Sequence, residues 1–162
     1  MIHFRSSQTQ VVRHWLATKS EGIICPTSSV GAYCDLAYIS AYTVTKKAMN
    51  SFYRDLATQT YKNNIRVCLT LPGPVESEIA QKSIGGPENM IQLDRQKKMP
   101  AERCAELTII AIANKLNESW ICIQPWLFIT YLNMYFSFEL HWLTKQFGLI
   151  RFIEEQYVKK FN

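Results

Sequence analysis

"AYTVTKKAMNSFYRDLATQT", residues 41–60, sets Tyr42 four residues before Lys46 and repeats apolar side chains at Val44, Ala48, Phe52 and Leu56. That recurrence predicts a helix over 42–60, which places Tyr42 and Lys46 one turn apart on a shared face. A Tyr-x-x-x-Lys spacing arises by chance in many chains with eight tyrosines, so the pair is either catalytic or an ordinary helix face. What flanks it decides.

Upstream, "GIICPTSS" (residues 22–29) is a short apolar run with the look of a buried parallel strand, although Pro26 removes a ladder donor. Before it, "VVRHWLATKSEG" reads as the end of a helix closed by Gly22. Downstream, "KNN" at 62–64 is a polar break, and "IRVCLTL" (65–71) is a second buried strand stopped by "PGP". "SIGGPEN" (83–89) is a loop. Pro100, at a helical N1 position, opens a helix with Ala105, Ile109, Ile112 and Leu116 along one face, and "SWICIQ" (119–124) is a third strand. Alternating helices and strands predict an α/β fold with a parallel sheet and helical crossovers. Residues 125–148 read as one helix apolar nearly all round, closed by Gly148, before an amphipathic tail with Ile150, Ile153, Tyr157 and Phe161.

Composition narrows the function classes. At 162 residues, 48% apolar and 19% charged, the chain suits one domain with a core and argues against disorder. The net charge of +5 is dispersed, with no basic run interleaved with aromatics, so no nucleic-acid partner is expected. Five cysteines without C-x-x-C or His-coupled spacing point to reduced thiols and no metal site. The three histidines have no nucleophile-like partner.

Ser29 lies thirteen residues before Tyr42, at the carboxyl end of the first strand, and "LPGPVESEI" (71–79) follows the second. In a doubly wound sheet ligands bind beyond the carboxyl ends of the strands, so Ser29, Tyr42 and the Pro72-Gly73 turn face one crevice. The order Ser, Tyr-x-x-x-Lys, Pro-Gly resembles the short-chain dehydrogenase/reductase superfamily over roughly residues 8–153. The distal run "MPAERCAELTIIAIANKLNESWICIQPWLFITYL" is the more specific part of the likeness.

The resemblance implies a Rossmann-type doubly wound parallel sheet, of which this chain is the C-terminal half, followed by an aromatic helical segment. Residues 8–124 would be the catalytic half and 125–162 the aromatic segment, with the dinucleotide-binding half absent. It implies interconversion of an alcohol and a carbonyl by NAD(P), with NADPH preferred, on a small lipophilic substrate. Ser29, Tyr42 and Lys46 would be catalytic, with Ser28 the rival for the serine. Tyr42, Lys46, Pro72, Gly73, Val75 and Ser77 would contact the cofactor.

Physical chemistry makes these residue types sensible. Hydride transfer leaves an alkoxide-like oxygen that must gain a proton, and a free tyrosine, with a pKa of about 10, holds its proton too tightly for the reverse direction. A lysine one turn away favours the phenolate, and a serine hydroxyl can clamp the developing charge.

The motifs such an enzyme carries earlier, a glycine-rich turn and an Asn-Asn-Ala-Gly-like segment, are not in these residues, where Gly22 is the only glycine before Ser29. The supporting asparagine of the family would fall at about Met1. The chain is therefore expected to be inactive alone, with the first strand as an exposed edge. The alternative is a noncatalytic remnant that binds or interacts. A homo-oligomer is expected. By resemblance the location is the endoplasmic reticulum membrane through an N-terminal segment, or else the cytoplasm. Residues 119–138 carry no charge; strand, turn and helix explain that run better than a span, with peripheral membrane contact between the two.

Overall fold

The computed structural model describes residues 7–34, 40–77 and 98–146. In chain order these form α1 (Ser7–Thr18), β1 (Gly22–Ile24), a 3₁₀ turn (Val30–Tyr33), α2 (Ser40–Thr60), a second 3₁₀ turn (Tyr61–Asn63), β2 (Ile65–Val67) and β3 (Leu69–Pro72). After them come α3 (Ala101–Ala113), β4 (Glu118–Ile121), α4 (Trp126–Tyr135) and α5 (Ser137–Gln146). The expected loop at 83–89, Gly148 and the amphipathic tail lie outside the described residues.

All pairing is parallel, β1 with β2 and β3 with β4, as the α/β reading requires. The expected middle strand is divided at Cys68, and Pro26 explains why. Cys68 donates its N–H to the Ile24 carbonyl, Thr70 donates to Pro26, and Ser28 donates to Thr70. The next donor in that ladder would be the N–H of residue 26, aimed at Cys68, and proline has none. The first strand accordingly stops at Ile24 and resumes only as a bridge between Thr27 and Thr70. Residues 65–72 still act as the centre of the sheet: Ile65, Cys68, Leu69, Thr70 and Leu71 are the most deeply buried side chains there, and Val30 packs on Leu69 and Leu71.

Several expected details change. α1 is closed by Lys19, whose φ of 53° is left-handed, with the Ser20 N–H reaching the Trp15 carbonyl at 3.0 Å. That is a Schellman-type stop with a lysine in the usual glycine position. Gly22 instead begins β1, and it is glycine because any Cβ would collide with the Trp15 ring. Pro100, with ψ of 141°, is extended and caps α3 rather than forming its first turn.

The expected apolar face of α2 is not the buried one. Thr43, Asn50, Tyr53 and Thr60 are buried, whereas Val44 is 65% exposed. A strict four-residue repeat advances about 40° per step around a helix of 3.6 residues per turn, so Val44, Ala48, Phe52 and Leu56 spiral off any single face. In α3, Ile109 is 66% exposed, while Ala111 meets the sheet side because a methyl lets the helix approach β4 closely. The expected face of Ala105, Ile109, Ile112 and Leu116 is therefore not the buried one, because consecutive Ile109, Ile110, Ala111 and Ile112 offer more than one apolar face to the sheet.

The single aromatic helix expected over 125–148 is two helices, parted at Phe136 (φ −130°, ψ 39°). Glu139 in the first turn of α5 supplies the negative charge that favours a helix start there. α4 is fastened to the first 3₁₀ turn by Asn133 Nδ2 donating to the Tyr33 carbonyl at 2.9 Å and by Thr130 Oγ1 at 3.4 Å from Cys34 Sγ. Among the described residues no helix is long and apolar enough to cross a membrane.

Candidate active site

Three elements converge beyond the end of β1. Ser29 is the N-cap of the first 3₁₀ turn, and its Oγ accepts from the Gly31 N–H at 3.0 Å. The same hydroxyl donates to the Pro72 carbonyl at 3.3 Å, tying the β1 end to the β3 end. Gly31 is the meeting point with α2: the position of a Cβ on it lies 3.3 Å from Ser29 Oγ and 3.4 Å from Tyr42 Cε1. Ser29 and Tyr42 therefore flank one spot, from sites thirteen residues apart in sequence.

Tyr42 stands in the opening turn of α2 and is 42% exposed, so its ring lies at the surface rather than in the core. Lys46 follows one turn on, its Nζ 5.7 Å from the Tyr42 ring centroid and donating to the Thr27 carbonyl at 3.2 Å. Burial lowers the Lys46 ammonium pKa from its ordinary value, because half-withdrawn charge loses water. Thr27 is a partner that side-chain motifs could not disclose, since it acts through its backbone. The available signal was positional: a residue two before Ser29 sits where the first strand is losing its ladder.

Ser28 takes a different place. Its N–H joins the ladder to Thr70, and its buried Oγ has no hydrogen-bond partner among the described residues. Consecutive side chains on extended backbone point to opposite sides, and it is Ser29 whose Oγ lies beside the position shared with Tyr42.

The second half of the expected site is placed less directly. Pro72 reaches the group through its carbonyl, and the Gly73 N–H is held by the Ile121 carbonyl at 2.9 Å. Gly73 has Cys122 directly against it, and a Cβ there would overlap the thiol. Val75 bridges Met99, and Ser77 is exposed at the end of a described stretch; no hydrogen bond among the described residues ties either to Ser29, Tyr42 or Lys46. Among the described residues no disulfide joins the cysteines, and Cys34 and Cys68 are buried. No group of three His, Cys, Asp or Glu among the described residues could hold a metal ion.

A parallel α/β sheet with Ser29, Tyr42 and Lys46 gathered beyond the end of its first strand is a Rossmann-type architecture. Residues 4–86 match the family described as short chain dehydrogenase, and the chain belongs to that family. It is 32% identical over 147 residues to human dehydrogenase/reductase SDR family member 7, covering 88% of this chain and 43% of the relative. The mouse protein of the same name is 28% identical over 146 residues, with the same coverage. The chain thus spans less than half the length of these relatives.

Solved structures show the same fold. 4-Hydroxyisoleucine dehydrogenase complexed with NADH superposes with a TM-score of 0.55 at 21% identity, over 72% of this chain and 50% of that one. A putative 2-deoxy-d-gluconate 3-dehydrogenase from Agrobacterium tumefaciens with bound NADP gives 0.59 at 18% identity, over 75% and 52%.

Proposed function

We propose that this chain carries the catalytic residues of an NAD(P)-dependent oxidoreductase that interconverts an alcohol and a carbonyl. The observation supporting this reading is the convergence of Ser29 Oγ and the Tyr42 ring on Gly31, with the Lys46 ammonium beside the ring. In this reading Tyr42 exchanges a proton with the substrate oxygen. Ser29 holds that oxygen, and its hydroxyl turns away from Pro72 to do so. The present bond, at 3.3 Å, is long for an O–H donor and so is cheap to exchange. The nicotinamide, when bound, supplies the hydride.

The residues fit the ribose end of such a cofactor. Lys46 commits one of its three ammonium protons to Thr27, leaving donors for a vicinal diol. Pro72, Gly73, Val75 and Ser77 would border the carboxamide. A pyrophosphate needs a glycine-rich turn at a helix N-terminus, which these 162 residues do not include, so a separate strand–turn–helix unit must supply it. NADPH is the preferred form in this proposal. A small lipophilic substrate suits the aromatic surface of α4 and α5, where Phe128, Tyr135, Phe136, Phe138 and Trp142 are exposed. The same surface would contact a membrane peripherally, at the endoplasmic reticulum, and carbonate extraction should then release the chain from membranes; retention as an integral protein would refute it.

The test joins the chain to a glycine-rich N-terminal unit and measures NADPH fluorescence and carbonyl reduction. Tyr42→Phe keeps the ring packing but removes the transferable proton, so turnover should fall by roughly 10² to 10⁴ while NADPH still binds. Lys46→Ala should weaken cofactor binding and turnover together. Turnover within a few-fold of the parent in Tyr42→Phe would reduce the pair to a helix face. The isolated chain should show neither signal. A second reading, a noncatalytic binding protein, is favoured by the Ser29 proton already given to Pro72, and it wins if the completed protein binds NADPH without reducing any carbonyl.

A further inference from the structure

The break that Pro26 makes in the sheet falls beside two cysteines. β1 and β2 pair in parallel with Ile24 opposite Val67, and one step further the same register sets Cys25 opposite Cys68. Backbone bonds bracket that step: the Cys68 N–H donates to the Ile24 carbonyl at 2.8 Å, and the Thr70 N–H donates to the Pro26 carbonyl at 3.1 Å. Between them, residue 26 has no N–H to offer the Cys68 carbonyl.

Register partners on neighbouring parallel strands stand about 4.8 Å apart and point to the same face of the sheet. That spacing lies inside the roughly 4.4–6.8 Å between Cα atoms that a disulfide spans. The two side chains do meet, sharing a thiol–thiol hydrogen bond. Their surroundings differ: Cys25 is half-buried, whereas Cys68 is 1% exposed. Burial, then the Cys25 sulfur, pushes the Cys68 thiol up to about 11, so at neutral pH it is protonated and inert toward reagents in solution. Cys34 and Cys122 also feel each other's charge, but no strand pairing among the described residues sets them side by side, and the Cys34 sulfur lies 3.4 Å from Thr130 Oγ1.

We infer that Cys25 and Cys68 form an oxidation site, at which hydrogen peroxide closes the dithiol into a disulfide between β1 and β2. Cys25, the sulfur that solvent reaches, attacks a peroxide oxygen; the O–O bond breaks, Cys25 becomes a sulfenic acid and water leaves. The Cys68 sulfur then attacks the Cys25 sulfur, the S–O bond breaks, and the Cys68 proton departs with the hydroxide as a second water. Two thiols thus give two electrons and two protons to one peroxide. Contact between the two sulfurs lets this closure outrun further oxidation of Cys25. The disulfide supplies covalently the tie that Pro26 withholds from the ladder. The inference is independent of the oxidoreductase reading, since neither cysteine belongs to the Ser29–Tyr42–Lys46 group.

To test it, the full chain is reduced and treated with equimolar hydrogen peroxide, its remaining thiols are blocked with N-ethylmaleimide in acidic urea, and tryptic peptides are read by mass spectrometry. Cys25 and Cys34 share the peptide 20–46, and Cys68 lies in 67–82. The expected product joins these two peptides, with fragmentation placing the bond at Cys25 and the maleimide on Cys34, and dithiothreitol separates them. Cys25→Ser should lose the link. In Cys68→Ala the sulfenic acid has no thiol to meet, so capture of Cys25 by dimedone should rise several-fold over the parent. The peptide map of the parent decides the matter whether or not either variant folds. The proposal is overturned by maleimide on both Cys25 and Cys68 once the peroxide is consumed, or by a bond at Cys34 in place of Cys25. It is also overturned by a covalent dimer on a non-reducing gel, or by Cys25 driven to the sulfinic acid while Cys68 stays free.

Discussion

Replacing Gly73 with alanine tests whether the Pro72-Gly73 turn is glycine for its conformation or for its neighbour. The glycine needs no left-handed φ, so the backbone would accept an alanine. Space would not: the added Cβ overlaps Cys122 Sγ and lies 3.1 Å from Cys122 Cβ and 3.3 Å from its Cα. The thiol can swing aside, but Cys122 Cα sits just past Ile121, whose carbonyl receives the Gly73 N–H, so the two backbones cannot separate without losing that bond. Overpacking of this kind costs about 1–3 kcal/mol, which for a chain of this size lowers the midpoint by roughly 2–4 °C per kcal/mol. Cys122→Gly removes Sγ and Cβ and leaves only the 3.3 Å contact. In a double-mutant cycle by urea unfolding, the pair should therefore couple favourably by about 1–2 kcal/mol. Strictly additive effects would refute the steric account and return the glycine to the turn itself.

Gly31→Ala should behave oppositely: its Cβ meets Ser29 Oγ at 3.3 Å and Tyr42 Cε1 at 3.4 Å, so stability should change by less than about 1 kcal/mol. In the completed enzyme it should nonetheless lower turnover about tenfold or more by prising those side chains apart, and equal activity would deny their cooperation. Cys68 and Cys122 are pushed up from 9.0 to about 11, each first by burial and then by a neighbouring thiol, Cys25 for Cys68 and Cys34 for Cys122. The unfolded chain ionises first, so their stabilisation is complete below pH 9 and is lost as pH rises toward 11. For Cys68 the loss is roughly 2–3 kcal/mol; Cys68→Ala should flatten the decline in urea midpoint over that window, and an unchanged slope would exclude the thiol. Finally, apolar side chains left in water at Ile23, Val44, Ile109 and Phe138 should make the isolated chain self-associate. Sedimentation checks this, and a stable monomer would show that the surface tolerates solvent.

What was legible in the sequence was local or ordered along the chain. Turn residues and β-branched runs marked helix and strand alternation, and hence the parallel α/β class, because each signal acts within a few residues. The Ser29, Tyr42 and Lys46 group was legible for the same reason: one helical turn joins two of them, and the family's order supplies the third. Pro26 announced a missing donor, but only the register against residues 65–72 showed that the gap faces Cys68 and cuts the central strand. Which face of α2 is buried was not readable, since four-residue spacing drifts around the helix and the sheet selects Thr43, Asn50 and Tyr53 instead. Lys46's bond to Thr27 was equally hidden, as it depends on a backbone carbonyl nineteen residues away. Sequence thus determined the elements and the order of the chemistry, while the tertiary structure decided faces, ladder breaks and backbone partners, because those exist only between segments distant along the chain.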